Sequence, residues 1–239
     1  MRFAVISDLH FPSRAARAAA FVKAVRSDPT IEFVVTTGDL TDNGYDGHTT
    51  CSCLAPLLGT NNVIVGGSAE NQLQEYIKNF DAPLRASGKT VYAVPGNHDQ
   101  YNGARRYPVN DFLRERHGAT HYLVVRGGVA LAFCDVYPNA SVLEWLTSAL
   151  NADDARDKPI LIFFHYNLMG SFSDWWSQNE KDAFCNAIRG RRVLGIFEGH
   201  LHQTYSYRWN GYDVTCTAGD NGWAIVDVNS DVVNVAISS

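Results

Sequence analysis

Ile31-Glu32-Phe33-Val34-Val35-Thr36-Thr37-Gly38-Asp39-Leu40-Thr41-Asp42 is the stretch that decides the fold. A β-branched and aromatic run stops at a glycine and a pair of acids. The run is too short for a globular helix and reads as a buried strand. Gly38 lets the chain turn tightly where the strand ends. Four more apolar runs end in the same way. Arg2–Ser7 leads to Asp8-Leu9-His10, and Thr90–Val94 to Pro95-Gly96-Asn97-His98-Asp99. Ile160–Phe164 leads to His165, and Val193–Phe197 to Gly199-His200-Leu201-His202.

Helical patterns separate these strands. Ser13 is positioned to cap a helix running to about Arg26, where Asp28-Pro29 stops it. Ala69–Leu84, Asn110–His117 and Val142–Leu150 follow, the last with Leu143, Leu146 and Leu150 on one face. Ser177-Gln178-Asn179-Glu180 is a capping box before a helix to about Arg189. Tyr122–Arg126 and Val129–Val136 flank Gly127-Gly128 as a hairpin, Asn210-Gly211 marks another, and Val226–Ile237 reads as two strands meeting at Asn229-Ser230. Strand and helix in alternation specify an α/β layered domain, the later hairpins adding a second or mixed sheet. Residues 43–68 lack periodicity and read as a loop insertion near a site, in a single domain spanning 1–239.

The 239 residues are 46% apolar and 19% charged, with a net charge of -5, which excludes a disordered chain. No apolar run approaches the ~18 residues of a membrane span. The mild acidity does not favour a nucleic-acid polymer as partner. The apolar stretch Phe3–Ile6 is too short for a signal peptide, and the five cysteines are an odd number, so a cytoplasmic protein without a disulfide framework is expected. Cys51-Ser52-Cys53 reads as an ordinary loop pair.

In open α/β sheets, ligands bind beyond the carboxyl ends of the strands. Here five strand ends deliver Asp, His and Asn to one edge. Asp8 with His10, and His200 with His202, stand two residues apart and point the same way in extended chain. Mixed imidazole and carboxylate donors suit Mn, Fe or Zn, and the lack of a Cys cluster argues against a structural zinc site. Trp175 and Trp176 are candidates to stack on a substrate, or to pack beneath the following helix. Arg105 and Arg106 are candidates to attract a phosphate, or a solvated basic pair.

D-x-H, G-D-x-x-D, G-N-H-D, a lone His and G-H-x-H, in this order from Asp8 to His202, resemble the calcineurin-like metallophosphoesterase superfamily. The resemblance implies a four-layer α/β/β/α sandwich with two divalent metal ions per chain. It implies Asp8, His10, Asp39 and His202 around one ion and Asn97, His165 and His200 with the bridging Asp39 around the other. It makes His98 the catalytic histidine and Asp42 the acid that orients it. A metal lowers the pKa of bound water from ~15.7 towards ~7, so the reaction implied is attack of hydroxide on a phosphoester. His98 would then protonate the leaving group or stabilise the transition state. Asn43 and Gln100-Tyr101 stand where protein phosphatases carry arginines, and the wording of the motifs is closest to the cyclic-nucleotide-phosphodiesterase-like group. A small-molecule phosphodiester is therefore the expected substrate, a phosphomonoester the runner-up. A non-catalytic scaffold on the same fold is a third reading, set against the seven ligands and His98 that are all present.

Overall fold

The computed structural model describes residues 1–42, 68–100, 107–218, 222–229 and 232–238. Positions 43–67 of the expected loop insertion, with Cys51 and Cys53, lie outside the described residues, as do Arg105, Arg106 and the turn after Asn229. The described elements are β1 (Arg2–Ile6), α1 (Ala15–Ser27), β2 (Phe33–Thr37), α2 (Ala69–Tyr76), α3 (Ala82–Ala86), β3 (Thr90–Val94) and α4 (Pro108–His117). There follow β4 (His121–Arg126), β5 (Val129–Cys134), α5 (Ala140–Asn151), β6 (Ile160–Phe163), α6 (Gln178–Ile188) and β7 (Val193–Glu198). The hairpins β8 (Tyr205–Trp209) with β9 (Tyr212–Cys216) and β10 (Trp223–Asn229) with β11 (Val232–Ser238) complete the series.

The strands form two sheets, ordered β11-β10-β1-β2-β3 and β4-β5-β6-β7-β9-β8. Both are mixed. β1, β2 and β3 run parallel at the heart of the first, as β5, β6, β7 and β9 do in the second. Alternate residues explain the layering. Phe3, Val5, Phe33 and Val35 of one sheet meet Leu131, Phe133, Leu161, Phe163 and Phe197 of the other. Stacked rings fill that interface: Phe3 on Phe33 at 4.6 Å, Phe133 on Phe163 at 4.9 Å, Phe163 on Phe197 at 5.2 Å. The intervening residues Ala4, Ile6 and Val34 pack against α1 to α4, and Ala130, Ala132, Ile162 and Ile196 against α5 and α6. The result is the expected helix–sheet–sheet–helix sandwich. Strands covered on both faces need unbroken apolar runs, which is why they read so clearly.

Three local expectations change. Ser13 does not cap α1; Arg14 holds the cap position without a side-chain bond. The Ser13 amide and hydroxyl instead donate to the Asp42 carboxylate at 3.0 and 2.7 Å, because a buried carboxylate needs donors more than an exposed helix end does. The helix over 69–84 is interrupted by a wide turn at Ile77–Asp81 before α3. Pro83 has no N–H for an i→i−4 bond, and the widened turn lies immediately ahead of it. In α5 the buried stripe is Val142, Leu146 and Leu150, with Leu143 only half-buried. The Ser177–Glu180 capping box and the Asn210-Gly211 turn form as expected, the latter with both residues at positive φ.

His117, at the end of α4, stacks on Tyr122 with ring centroids 4.4 Å apart. Burial, then Arg116 and Arg85, push its pKa down from 6.5 to about 4. The ring is therefore neutral in the fold but charges in the unfolded chain below 6.5, so the unfolded state binds the extra proton and stability falls as pH drops from 6.5 to 4. Replacing His117 with Phe keeps the stack and removes this component. Urea melts at pH 7 and pH 4.5 should show a smaller acid loss for His117→Phe than for wild type; equal losses would exclude His117 as the source.

Candidate metal centre

The carboxyl ends of β1, β2, β3, β6 and β7 bring all seven expected donors together. The turns that carry them are conformationally unusual. Asp8, His10, Asp39, His200 and His202 have φ of 56°, 42°, 51°, 74° and 53°. Such backbone is uncommon for residues with a Cβ and costs of order 1–3 kcal/mol each unless the surroundings enforce it. Here main-chain bonds lock the turns to one another. The Asp8 amide donates to the Gly38 carbonyl at 3.1 Å, that of His10 to Asp39 at 2.9 Å, and that of Gly199 to His165 at 3.0 Å.

Asp99 ties two turns into one body. Its carboxylate accepts from the amides of Gly96 (2.8 Å), Leu40 (3.0 Å) and Thr41 (3.0 Å) and from the Thr41 hydroxyl (2.9 Å). Burial and the neighbouring Asp39 raise its pKa to about 6 despite these bonds. Glycine supplies the closeness. A Cβ on Gly96 would stand 2.1 Å from Asp39 Oδ1 and 2.3 Å from its backbone nitrogen, one on Gly38 would meet the His165 ring at 2.6 Å, and one on Gly199 would meet Ser7 Oγ at 1.9 Å. These glycines let ligand side chains lie against the main chain.

Asp8, His10, Asp39 and His202 offer one donor atom each within 4.8 Å of one another, and Asp39, His165 and His200 form a second such group. Asp39 belongs to both. Asn97 joins the second through Oδ1, 3.0 Å from His165 Nε2. The hydrogen bonding shows that these groups fit cations. His165 Nδ1 lies 2.8 Å from the Thr37 carbonyl, which can only accept, so this nitrogen carries a proton. In the neutral ring Nε2 is then a lone pair, and it faces two more acceptors, Asn97 Oδ1 and Asp39 Oδ2, the latter at 3.3 Å. Three converging acceptors call for a positive charge. Without a metal a proton supplies it: burial opposes the charged ring, but Asp39 and the other neighbours outweigh burial and raise the His165 pKa to about 9. His200 is held neutral, its pKa lowered to about 3 by burial and by His165, and its Nε2 is buried with no hydrogen-bond partner among the described residues. Burial raises the Asp8 pKa, yet the bond to His202 and nearby imidazoles bring it down to about 2, so it stays a carboxylate.

The His98 amide donates to Asp39 Oδ1 at 2.8 Å, and its Nε2 lies 4.0 Å from Asp39 Oδ2. Its Nδ1 is 2.7 Å from the main-chain carbonyl of Asp42. The contact from Asp42 to the ring thus comes from the backbone, while its carboxylate takes the two bonds from Ser13 already described. Trp176 is only 1% exposed: it packs on Phe164 and Phe184 beneath α6 and donates from Nε1 to the Asn167 carbonyl at 3.1 Å. It has no face to offer a substrate, so that expectation is corrected. Trp175 is 38% exposed, 4.6 Å from the His200 ring, and lines with Tyr166, Tyr137, Asn97 and Gln100 a cavity of about 270 Å³ beside the donors. Two residues went unnoticed in the sequence. Glu198, fully buried with its pKa raised to about 8, accepts from the Tyr207 hydroxyl at 2.8 Å and the Leu168 amide at 3.0 Å. Arg14 places a guanidinium nitrogen 3.1 Å from His202 Nδ1. Neither belongs to a motif: Glu198 directly precedes Gly199 and Arg14 follows His10 by four residues, but the partners that give them a role come only with the fold.

Comparison with known proteins agrees with this geometry. The calcineurin-like phosphoesterase family model matches residues 1–204. The chain belongs to this family. The calcineurin-like phosphoesterases are metal-dependent hydrolases of phosphoesters, and the donor groups above are this chain's candidate dimetal site. A 3',5'-cyclic adenosine monophosphate phosphodiesterase, CpdA, from Haemophilus influenzae is 27% identical over 174 residues, 67% of this chain and 59% of that protein. The match thus spans less than two thirds of that relative. A protein of Rhodopseudomonas palustris, named probable cyclic nucleotide phosphodiesterase RPA0124, is 25% identical over 88% of this chain and 75% of its own. A dimetal phosphatase from Danio rerio shares the fold with a TM-score of 0.70 at 16% identity, covering 99% of this chain and 95% of that one. GAP50 of Plasmodium does so at 0.66 and 12%, covering 100% and 84%. No helix among the described residues is long and apolar enough to cross a membrane.

Gly96 has an ordinary φ, so a side chain there is excluded by space alone. Gly96→Ala forces its Cβ into the Asp39 backbone and should cost about 1–3 kcal/mol, the range for overpacking. Urea unfolding should show that loss together with reduced metal uptake. Wild-type stability and metal content in Gly96→Ala would contradict the tight turn.

Proposed function

We propose that the chain is a dinuclear metal-dependent phosphodiesterase acting on small phosphodiesters, cyclic nucleotides among them. The observation that carries this reading is Asp39, whose buried carboxylate belongs to two adjoining donor groups and has His98 bonded to its other oxygen. Asp8, His10, Asp39 and His202 would hold one ion, and Asp39, Asn97, His165 and His200 the other. Two bound ions would supply an activated water and neutralise charge on the phosphoryl oxygens. The nitrogen and oxygen donors suit Mn, Fe or Zn.

The chain's own residues do the rest. The Asp42 carbonyl fixes the His98 proton on Nδ1 and turns Nε2 towards the donor cluster. When the ring is protonated, Nε2 donates to the leaving alkoxide, or keeps its proton and offsets the charge of the transition state. Trp175 and the cavity beside it offer an apolar face and room for a second ester arm. This room, and the names of the two relatives, support a diester over the phosphomonoester alternative. The described cysteines Cys134, Cys185 and Cys216 are free thiols, in keeping with a reducing, cytoplasmic setting.

The test is hydrolysis of bis(p-nitrophenyl) phosphate against p-nitrophenyl phosphate by Mn²⁺-loaded protein. The diester should be preferred, and a chelator should abolish turnover. His98→Ala should keep its metals and lose about 10²–10⁴-fold in kcat, the usual worth of an acid–base group. Asp39→Asn should lose metal as well as activity. A preference for the monoester would overturn the diester reading and leave the family assignment untouched. For Trp175→Ala we expect a higher KM for the aryl diester at nearly constant kcat; an unchanged KM would remove Trp175 from the substrate face.

A further inference from the structure

Arg14 sits where α1 begins, its amide donating to the His10 carbonyl at 3.2 Å and its own carbonyl accepting from Ala18 at 3.3 Å. The side chain is therefore planted beside the donor cluster, where its Nη2 lies 3.1 Å from His202 Nδ1. A guanidinium only donates. In this arrangement His202 Nδ1 must be the acceptor, and the ring proton sits on Nε2, which faces Asp8 Oδ1 at 3.4 Å. Nε2 is also the nitrogen that points at the other ligands, 3.1 Å from His10 Nε2. A cation held there takes the Nε2 lone pair, and a neutral imidazole then carries its proton on Nδ1. The Nδ1–H and the guanidinium N–H would then be two donors face to face. Metal occupancy and the Arg14–His202 bond exclude one another.

We propose that Arg14 is a substrate-binding residue, released from His202 when the donor cluster fills and then bonded to an oxygen of the bound phosphoryl group. The proposal rests on the metallophosphoesterase reading of the site and adds a residue to it. A guanidinium matches phosphoryl oxygens in charge and in the geometry of its paired N–H groups. Asp42 is one anion whose charge Arg14 feels, and its oxygens also accept from the Ser13 amide and hydroxyl. A guanidinium beside the donor cluster would match the charge of an incoming phosphoryl anion.

The experiment titrates the full chain first with Zn²⁺ and then with inorganic phosphate by calorimetry, for wild type, Arg14→Ala and Arg14→Lys. Arg14→Ala should bind phosphate about tenfold to a hundredfold more weakly, the worth of a charge-assisted bond. It should bind Zn²⁺ more tightly, because a competing donor and a like charge are gone. Arg14→Lys should recover part of the phosphate affinity. A merely structural Arg14 would weaken both titrations together, and that result overturns the proposal. So does equal phosphate affinity in wild type and Arg14→Ala, or no phosphate binding by Zn²⁺-loaded wild type. Long-range ¹⁵N–¹H spectra of His202 should show the proton on Nε2 without Zn²⁺ and on Nδ1 with it; one tautomer throughout overturns the displacement. Failure to take up Zn²⁺ would instead sink the metal-centre reading, and the proposal with it. None of these readouts requires turnover, so failure to hydrolyse a diester leaves the result on Arg14 standing.

Discussion

Everything at this site depends on burying the carboxylate of Asp39. An anion taken out of water is tolerated only among compensating charges and donors. Burial drives its pKa up, yet His165 foremost, then His98 and His10, hold it well below the ordinary carboxylate range. One oxygen is occupied by the His98 amide, and the other looks towards the imidazoles of His10, His98 and His165. Those rings come from three different strand ends. The position of Asp39 thus dictates that β1, β3 and β6 finish at the same level as β2. The two-sheet sandwich is a frame that makes those ends coincide.

The turns bear the strain of that convergence. Five ligand residues sit in left-handed backbone, and three glycines leave gaps that a single methyl group would close. The compensation is the network of main-chain bonds and the Asp99 carboxylate, which holds the turns after β2 and β3 together. Behind them lies a close-packed core of stacked phenylalanines. Rigidity of this kind keeps like-charged and lone-pair-bearing groups close together before any counter-charge arrives.

The fold was legible because its strands are buried on both faces and its helices on one. Phe33–Thr37 announces itself by composition, and the Ser177 capping box by spacing. The candidate ligands were legible because each follows a strand directly, so local sequence alone locates it on the sheet edge. Ser13 was misread because its Asp42 partner lies 29 residues away and outcompeted the helix end. Trp175 and Trp176 are neighbours with opposite fates, one at the rim and one in the core. A short helical turn, Ser173–Trp175, ends between them and leaves Trp176 in extended backbone, and no periodicity signals it. Arg14 and Glu198 act through partners brought close only by folding, His202 for one and Leu168 and Tyr207 for the other.

The pairing of β1 carries a consequence for how the molecule is made. β1 lies between β2 and β10, so one of its edges meets a strand that begins at Trp223. β1 is therefore made well before β10, the strand that completes its pairing. Contacts of such long sequence separation form late and slowly. Asp8, at the end of that strand, accepts from the amide of His200 across 192 positions. The donor cluster is therefore complete only when segments 192 positions apart have met.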